Sequence, residues 1–443
     1  MSPPPRFAAR TEREAYGRGL RDRVRRTAQD RWVTEERDVL ARLVASEAGR
    51  LPQLLPVRHG RMASSPFAFL RGGAAIMAPD LIALPHTGYL VQICGDAHVR
   101  NLGAYAAPDG TIVFDLNDFD ETCRAPWEWD LRRLAISLVL VARESGTADA
   151  HARDAVAAMV RTYRELLDEL CGLPAVDVAR YAPHRFAGDG AVGRVLARAE
   201  RLSSHQARDH LTAPGPDGLP RFVADPPRLT RVPDGEAAAV LAALVDYRAT
   251  IAPDRQQVLA CYAPYDVAFK VAGTGSIGAH NYAVLCRGNG PDDALVLQVK
   301  EALPTAYVAA GWADPGAPAH DGQRVAEGAH RLQTACDPFI GWTTIAGRPY
   351  YVRQLADHQA SIDPADLRRA ALVEYARVCG EAFAKAHART ADPAVLYGYA
   401  GAADKLDRAL ARLALLGADQ VTRDWELLVD AIRRGALATE DLD

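Results

Sequence analysis

Apolar residues recur along this chain in two rhythms, one helical and one strand-like. Leu131, Leu134, Leu138 and Val141 share one face of a 3.6-residue repeat, which predicts a helix from Asp130, and Ala148 to Leu170 continues as a second. Near the start, Arg alternates with Glu and Asp while Trp32, Val33, Val39, Leu40, Leu43 and Val44 keep helical spacing, so an amphipathic arm is expected. The run from Arg61 to Ala74 mixes aromatics with Gly and Pro and reads as a loop followed by a small-residue packing segment. Two short β-prone runs follow, Gly88 to Cys94 and Thr111 to Phe114, the first ending at Gly95-Asp96 and the second at Asp115. From Leu173 to about Gly235, Pro and Gly break every pattern, and an irregular connection is expected before a helix at Glu236 to Tyr247.

The rhythm then changes. AFKVAG, NYAVLCRG and ALVLQVKEA predict a three-stranded antiparallel sheet, followed by a helix from Gln323 to Ala335. Two further strands, IGWTTI and RPYYVRQL, turn at Ala346-Gly347. Asp363 as N-cap and Pro364 at the first helical position announce a helix carrying Leu372, Tyr375, Cys379, Phe383 and Ala386.

Composition narrows the function classes. With 443 residues, 49% of them hydrophobic and 24% charged, the chain can pack two or three units. A formal net charge of −4 supplies no field for a phosphate backbone, so nucleic acid is not an expected partner. The apolar run Leu134 to Ala142, broken only by Ser137, is far short of the roughly 20 residues of a spanning helix. The opening MSPPPRFAAR leads into no apolar signal core, so a cytoplasmic location without membrane attachment is expected. Seven cysteines without a C-x-x-C pair suit neither a disulfide framework nor a zinc site. Basic charge is carried by arginine, and each of the four lysines, Lys270, Lys300, Lys385 and Lys405, raises the question of why Arg would not serve.

Three constellations could carry chemistry. In CGDAHVRN and FDLNDFDE, Asn101 stands five residues after Asp96, and Asp115 ends the next strand. That spacing fits phosphoryl transfer, in which an Asp accepts a hydroxyl proton while an Asn and a later Asp hold Mg²⁺. Turn-forming Asp and Asn residues are the plainer alternative. Asp115 and Asp118 both remain open as the main metal ligand, Asp115 being favoured because it directly follows a strand. The second constellation is GTGSIG, with Gly273, Gly275, Ser276 and Gly278, which leads into a strand instead of a helix. This suits a phosphate-covering hairpin better than a dinucleotide fold, although glycines also mark simple turns. The third is Lys300, at the end of VLQVK, with Glu327 on the next helix as its expected ion-pair partner. A solvated Lys300 beside Glu301 is the bland alternative.

The motifs SPFAFLRGGA, CGDAHVRNLG, VFDLNDFDET, PWEWDL, GTGSIG, LQVKEA and YYVRQL together resemble a widespread bacterial family long labelled a domain of unknown function. CGDAHVRN is also similar to the H-G-D-x-H-x-x-N loop of aminoglycoside and choline phosphotransferases, with Cys94 in place of His, and PWEWDLRRL resembles their loop-bracing segment. The resemblance implies a two-lobed, protein-kinase-like α+β fold, and the order of the motifs implies a circular permutation. Its parts would be a helical arm (1–57), the catalytic-loop part of the helical lobe (58–172), a connection (173–260), a small antiparallel-sheet lobe (261–358) and the helical remainder of the large lobe (359–443). It further implies an ATP- and Mg²⁺-dependent phosphotransferase with Asp96 as catalytic base, Asn101 with Asp115 or Asp118 on the metal, Gly273, Gly275, Ser276, Gly278 and Lys300 on phosphates, and Gln354 and Leu355 beside the adenine. Asp130 would brace the loop. The acceptor would be a hydroxyl of a small molecule or protein, and Asp118, Asp120, Glu121 and Glu128 at the mouth would favour a cationic one. A nucleotide-binding regulator, transfer of AMP from a reversed ATP, and a metal phosphohydrolase are the rival readings, and oligomeric state stays open.

Overall fold

The computed structural model describes residues 3–32, 37–182, 190–201, 206–215, 218–271, 273–290, 293–355 and 360–440. The expected arm supplies α1 (Arg10–Arg23) and α2 (Val39–Ala45), the latter capped by the Asp38 carboxylate on the Ala41 amide at 2.9 Å. Val33 lies outside the described residues. Instead of the expected loop, the next segment forms three short helices, α3 (Leu55–Ala63), α4 (Pro66–Gly72) and α5 (Ala74–Ala83). The start signal for α4 stands in the sequence: Ser65 accepts from the Ala68 amide at 3.1 Å, and Pro66 in the first turn has no amide to leave unpaired.

Two small antiparallel pairings follow. Strand β1 (Leu90–Ile93) pairs with β4 (Cys123–Pro126), and between them β2 (Leu102–Ala106) pairs with β3 (Ile112–Leu116), placing Gly103 opposite Asp115. Helix α6 (Glu128–Glu144) is buried along almost its whole length, and α7 (Asp149–Cys171) packs beside it. The connection expected to be irregular holds more order than its composition suggests: α8 (Ala175–Arg180), α9 (Ala191–Arg201) and α10 (Gln206–Leu211), then β5 (Thr212–Pro214), β6 (Pro220–Phe222) and β7 (Leu229–Arg231). Helix α11 (Asp234–Arg248) comes where periodicity predicts it, followed by α12 (Pro253–Leu259).

The sheet that follows is wider than expected. Strands β8 (Ala263–Lys270), β9 (Asn281–Arg287) and β10 (Ala294–Glu301) are antiparallel neighbours; after α13 (Ala306–Ala309) and α14 (Asp321–Leu332), β11 (Gly341–Ile345) and β12 (Arg348–Gln354) add to the β10 edge, and β7 closes the other. The order is β11-β12-β10-β9-β8-β7. The β11–β12 turn takes positive φ at Ala346 (50°) and Gly347 (78°). One sheet face buries Val284, Leu297, Val299 and Val352 against Val240 and Tyr247 of α11. The other carries both polar and apolar side chains and faces the helical lobe.

Asp363 does cap, but only a single 3-10 turn at Pro364–Asp366; Arg369, with φ of 48°, then redirects the chain. Short β13 (Ala360–Ser361) pairs with β2, and the helix proper is α15 (Ala370–Thr390), followed by α16 (Pro393–Ala400) and α17 (Lys405–Arg433). Helix α15 runs through the core of the large lobe, packed most closely on α7. The two backbones approach so nearly at Gly380 that an added Cβ would lie 2.2 Å from the Met159 carbonyl oxygen. Gly380→Ala should therefore push α7 and α15 apart and lower the thermal midpoint, at a cost of about 1–3 kcal/mol or more. Gly19→Ala on α1, where a Cβ meets nothing within 4 Å, should leave the midpoint unchanged or raised.

Candidate active site

The loop from Cys94 to Asn101 leaves β1 and is held by Asp130 at the start of α6. One Asp130 oxygen accepts from the Cys94 amide at 2.9 Å and the other from the Gly95 amide at 3.0 Å, while His387 of α15 approaches to 3.3 Å. This is the bracing role that the resemblance implied. Gly95 has φ of 82°, and a Cβ there would sit 2.0 Å from the Glu121 carbonyl oxygen, so only glycine lets the loop lie this close to the acidic segment.

Asp96 emerges from that turn into a polar setting. Arg133 donates to it from Nε at 2.7 Å and also from a terminal nitrogen, and His98 Nε2 lies 3.5 Å away. Burial pushes the carboxyl up, but Arg133 and His98 outweigh it and hold Asp96 well below the usual carboxylate range. It is ionised at any ordinary pH. Asn101 donates to the Asp96 backbone carbonyl at 2.6 Å, which ties together the residues five positions apart. His98 is buried edge-on against Phe67, and burial pushes its pKa down.

The acidic segment divides in two. Asp115, expected as the main metal ligand, is withdrawn into the core: the ammonium of Lys385 contacts its two oxygens at 2.6 and 2.5 Å, and the Leu116 and Thr334 amides also donate to it. The reason is local. Asp115 is still inside β3, paired with Gly103, while the chain reaches the cleft only after the strand ends. Asp118 and Asp120 come next. Burial and the charge of Asp120 push Asp118 up, whereas Lys300 overcomes the effect of burial on Asp120 and holds that carboxyl down. Burial pushes Glu121 up to about 7 even though the Ala306 amide donates to it at 2.6 Å. Glu128, expected at the mouth, is buried and accepts from the Thr87 amide at 2.7 Å.

Lys300 therefore pairs with Asp120 and not with Glu327. On α14 the inner face is carried by Arg324, which reaches the Asp120 and Thr122 carbonyls, and by Gly328, where a Cβ would meet Thr122 at 2.3 Å. Glu327 points aside and binds Gln323 at 2.7 Å and Arg331 at 2.6 Å, partners offered by helical spacing on its own helix.

The glycine segment turns between β8 and β9 with positive φ at Gly273 (46°) and Gly278 (92°). It is pinned from the arm: Arg50 donates to the Ile277 carbonyl at 2.7 Å, and the Leu51 amide to the Gly278 carbonyl at 2.8 Å. Beneath it lies Arg71 of α4, whose carbonyl oxygen would be 3.3 Å from a Cβ on Gly275. Arg71 Nε is buried without a hydrogen-bond partner, and burial together with Arg100 pushes the guanidinium down to about 10.

These segments enclose a cavity of about 320 Å³. Asp96, Asn101 and Asp118 line it together with Gly273, Gly275 and Ser276, and Asp120, also in the lining, pairs with Lys300, which is not. Asp115 and Glu327 do not line it. Nor do Gln354 and Leu355: Gln354 borders a separate cavity of about 90 Å³ with Arg353 and Asp337, and Leu355 packs near Phe222. Sequence reasoning missed Arg133, Asp120 as the Lys300 partner, and Lys385. The rarity of lysine in this chain was the one available signal for Lys385: a compact ammonium fits a helix-packed core where a guanidinium would not. Among the described residues, no three His, Cys, Asp or Glu side chains form a ready metal cage.

Removing Lys385 by substitution to Met leaves Asp115 buried without its cation and should cost about 3–5 kcal/mol in chemical denaturation, most of it recovered in the Asp115→Leu, Lys385→Met double variant. Glu121 binds its proton more tightly folded than unfolded. Its stabilising contribution is thus complete below about pH 4 and is lost as pH rises through about 7. In metal-free buffer the wild type should lose more thermal stability between about pH 5 and about pH 8 than Glu121→Gln does; parallel curves would contradict the assignment.

Comparison with curated proteins and with solved structures gives no match. The family model described as an uncharacterized protein conserved in bacteria (DUF2252) matches residues 50–431, which takes in the arm contact at Arg50, the loop, the acidic segment, the glycine turn and the lysine strand. The chain belongs to that family.

Proposed function

We propose that the cleft binds ATP with Mg²⁺ and transfers a phosphorus-containing group from it to a hydroxyl of a small molecule or protein. The observation that carries this reading is the cavity that Asp96, Asn101 and Asp118 line together with Gly273, Gly275 and Ser276, although the two stretches are far apart in the chain. The reading takes the fold as protein-kinase-like and circularly permuted. The adjacency of β8, β9 and β10, with the glycine turn joining the first two and Lys300 one residue before the end of the third, supports it.

In this reading the metal falls to Asn101 and Asp118 in place of Asn101 and Asp115. Asp118 and Asp120 crowd negative charge at one wall, and Asp120 Oδ1 is buried without a hydrogen-bond partner, a setting that fits a cation. Mg²⁺ commonly takes one or two protein carboxylates and completes its shell with water and phosphate oxygens, so the lack of a protein cage is no obstacle. Bound there, it would neutralise phosphate charge. Lys300 would exchange part of its contact with Asp120 for a phosphate oxygen, and amides of the glycine turn would cover the chain of phosphates. Asp96, held ionised by Arg133, would orient the acceptor hydroxyl and take its proton as the new bond forms. A regulator that only binds nucleotide has no use for such a carboxylate beside the metal residues.

Asp96→Asn should lower turnover by about 10² to 10⁴ while leaving ATP affinity in isothermal titration nearly unchanged. Lys300→Met should weaken that affinity. No binding heat with ATP and Mg²⁺ for the wild type, or normal turnover by Asp96→Asn, defeats the reading.

A further inference from the structure

Arg71 closes the SPFAFLR stretch, a motif to which the proposed function gives no task. The backbone around it is fixed from several sides. Buried arginines hold the carbonyls of both its neighbours: Arg133 donates to Leu70 at 2.7 Å and Arg58 to Gly72 at 2.9 Å. Arg133 also grips the Asp96 carboxylate, so one guanidinium ties the backbone before Arg71 to the proposed base. The first turn of α4 is anchored as well: the Phe67 amide donates to Glu144 at the end of α6 at 2.8 Å, and the Phe67 ring meets His98 edge-on. The glycine turn comes so near that a Cβ on Gly275 would lie 3.3 Å from the Arg71 carbonyl oxygen. Arg71 is therefore tied to the Asp96 loop through Arg133 and lies against the glycine turn.

Its side chain, in contrast, is unengaged. Arg50, Arg58 and Arg71 all line the 320 Å³ cavity. Arg50 donates to the Ser46 and Ile277 carbonyls, and Arg58 to Glu47 and Gly72. The Arg71 guanidinium makes no hydrogen bond or ion pair among the described residues, and its Nε is buried. Asp96, in the same lining, is already taken by Arg133, and Lys300 is paired with Asp120. Burial and the charge of Arg100 disfavour the Arg71 cation, a cost that a bound anion would offset. A guanidinium is a planar fork that donates to two oxygens of one phosphate at once. A phosphoryl group in transit carries its negative charge on its non-bridging oxygens, and here it would meet a lining that also presents Asp96, Asp118, Asp120 and Glu121.

We propose that Arg71 is a catalytic residue of this cleft, its guanidinium binding the non-bridging oxygens of the phosphorus centre as that centre passes from ATP to the acceptor. This rests on the cleft being an ATP site and holds for whichever phosphorus is transferred. The acceptor oxygen forms a bond to that phosphorus, and the bond from the phosphorus to the bridging oxygen breaks. The leaving phosphate group keeps the electron pair of the broken bond, and the hydroxyl proton passes to Asp96. Arg71 stays protonated throughout and supplies the positive charge that the other two arginines of the lining have committed to the protein.

The full chain with ATP and Mg²⁺, and water as acceptor, tests this. Arg71→Met should slow ATP consumption, followed by ³¹P NMR, about 10²- to 10³-fold, while ATP affinity in isothermal titration falls far less. Full turnover by Arg71→Met, or an equal loss of affinity and turnover, would overturn the inference and leave the ATP site intact. Added guanidinium should restore turnover to Arg71→Ala, whereas ammonium should not. Because the side chain has no protein partner to lose, the thermal midpoint of both variants should equal or exceed that of the wild type. A lowered midpoint without rescue by guanidinium would make Arg71 a packing residue instead. A further readout needs no turnover: phenylglyoxal should modify Arg71 in the free protein, mapped by peptide mass spectrometry, and ATP with Mg²⁺ should protect it. Absence of label at Arg71, or label that ATP leaves unchanged, would also count against the assignment. Absence of any ATP binding by the wild type would instead defeat the proposed function itself.

Discussion

The Asp130 carboxylate is the contact on which the site depends. By accepting from two successive amides, Cys94 and Gly95, it turns a loop into a fixed platform, and by meeting His387 it ties that platform to a helix from the far end of the chain. The loop would otherwise have to satisfy buried amides with water or with its own carbonyls. Asp96 projects in one direction because those two amides are held. The same helix, α15, sends Lys385 to Asp115 two residues before His387, so one element positions both the loop and the hairpin that follows it.

Charge in the cleft is sorted by neighbours. Arg133 keeps Asp96 ionised, Lys300 does the same for Asp120, and Asp118 and Glu121, with less cationic help, are driven toward their neutral forms by burial. Carboxyls close in sequence thus end with opposite protonation tendencies, the condition under which one can act as a base while others await a cation. Arg50, Arg58 and Arg71 line the same cavity as these carboxyls. The acidic mouth expected from Asp118, Asp120, Glu121 and Glu128 is thereby replaced by a cleft of mixed sign.

Much of the architecture was written in local patterns. Helices α6, α7, α11 and α14, the strands β8 to β12 and the turn at Ala346-Gly347 follow from periodicity and turn chemistry, and the glycine turn runs into a strand as read. The start of α4 was legible, since Ser65-Pro66 is a start signal, but the glycines and aromatics around it mask a helical face too short to show a period, and the segment reads as a loop. The late start of α15 was not legible: Asp363-Pro364 opens a single turn, and the change of direction at Arg369 has no sequence signature.

For the site, motif spacing alone picked out the loop, the glycine turn and the lysine strand, because each needs a particular residue at a particular backbone position and such needs are local. Which carboxylate faces the cavity was decided only in three dimensions. Asp115 and Asp118 are interchangeable in a string of letters, yet one lies within a strand and meets Lys385, while the other lies beyond its end. Glu327 was the expected partner of Lys300, but Arg324 and Gly328 fill the inner face of α14 and Asp120 takes the ion pair. Ion pairs join residues by proximity in space, and proximity across long stretches of chain is a property of the packed core and not of any local segment.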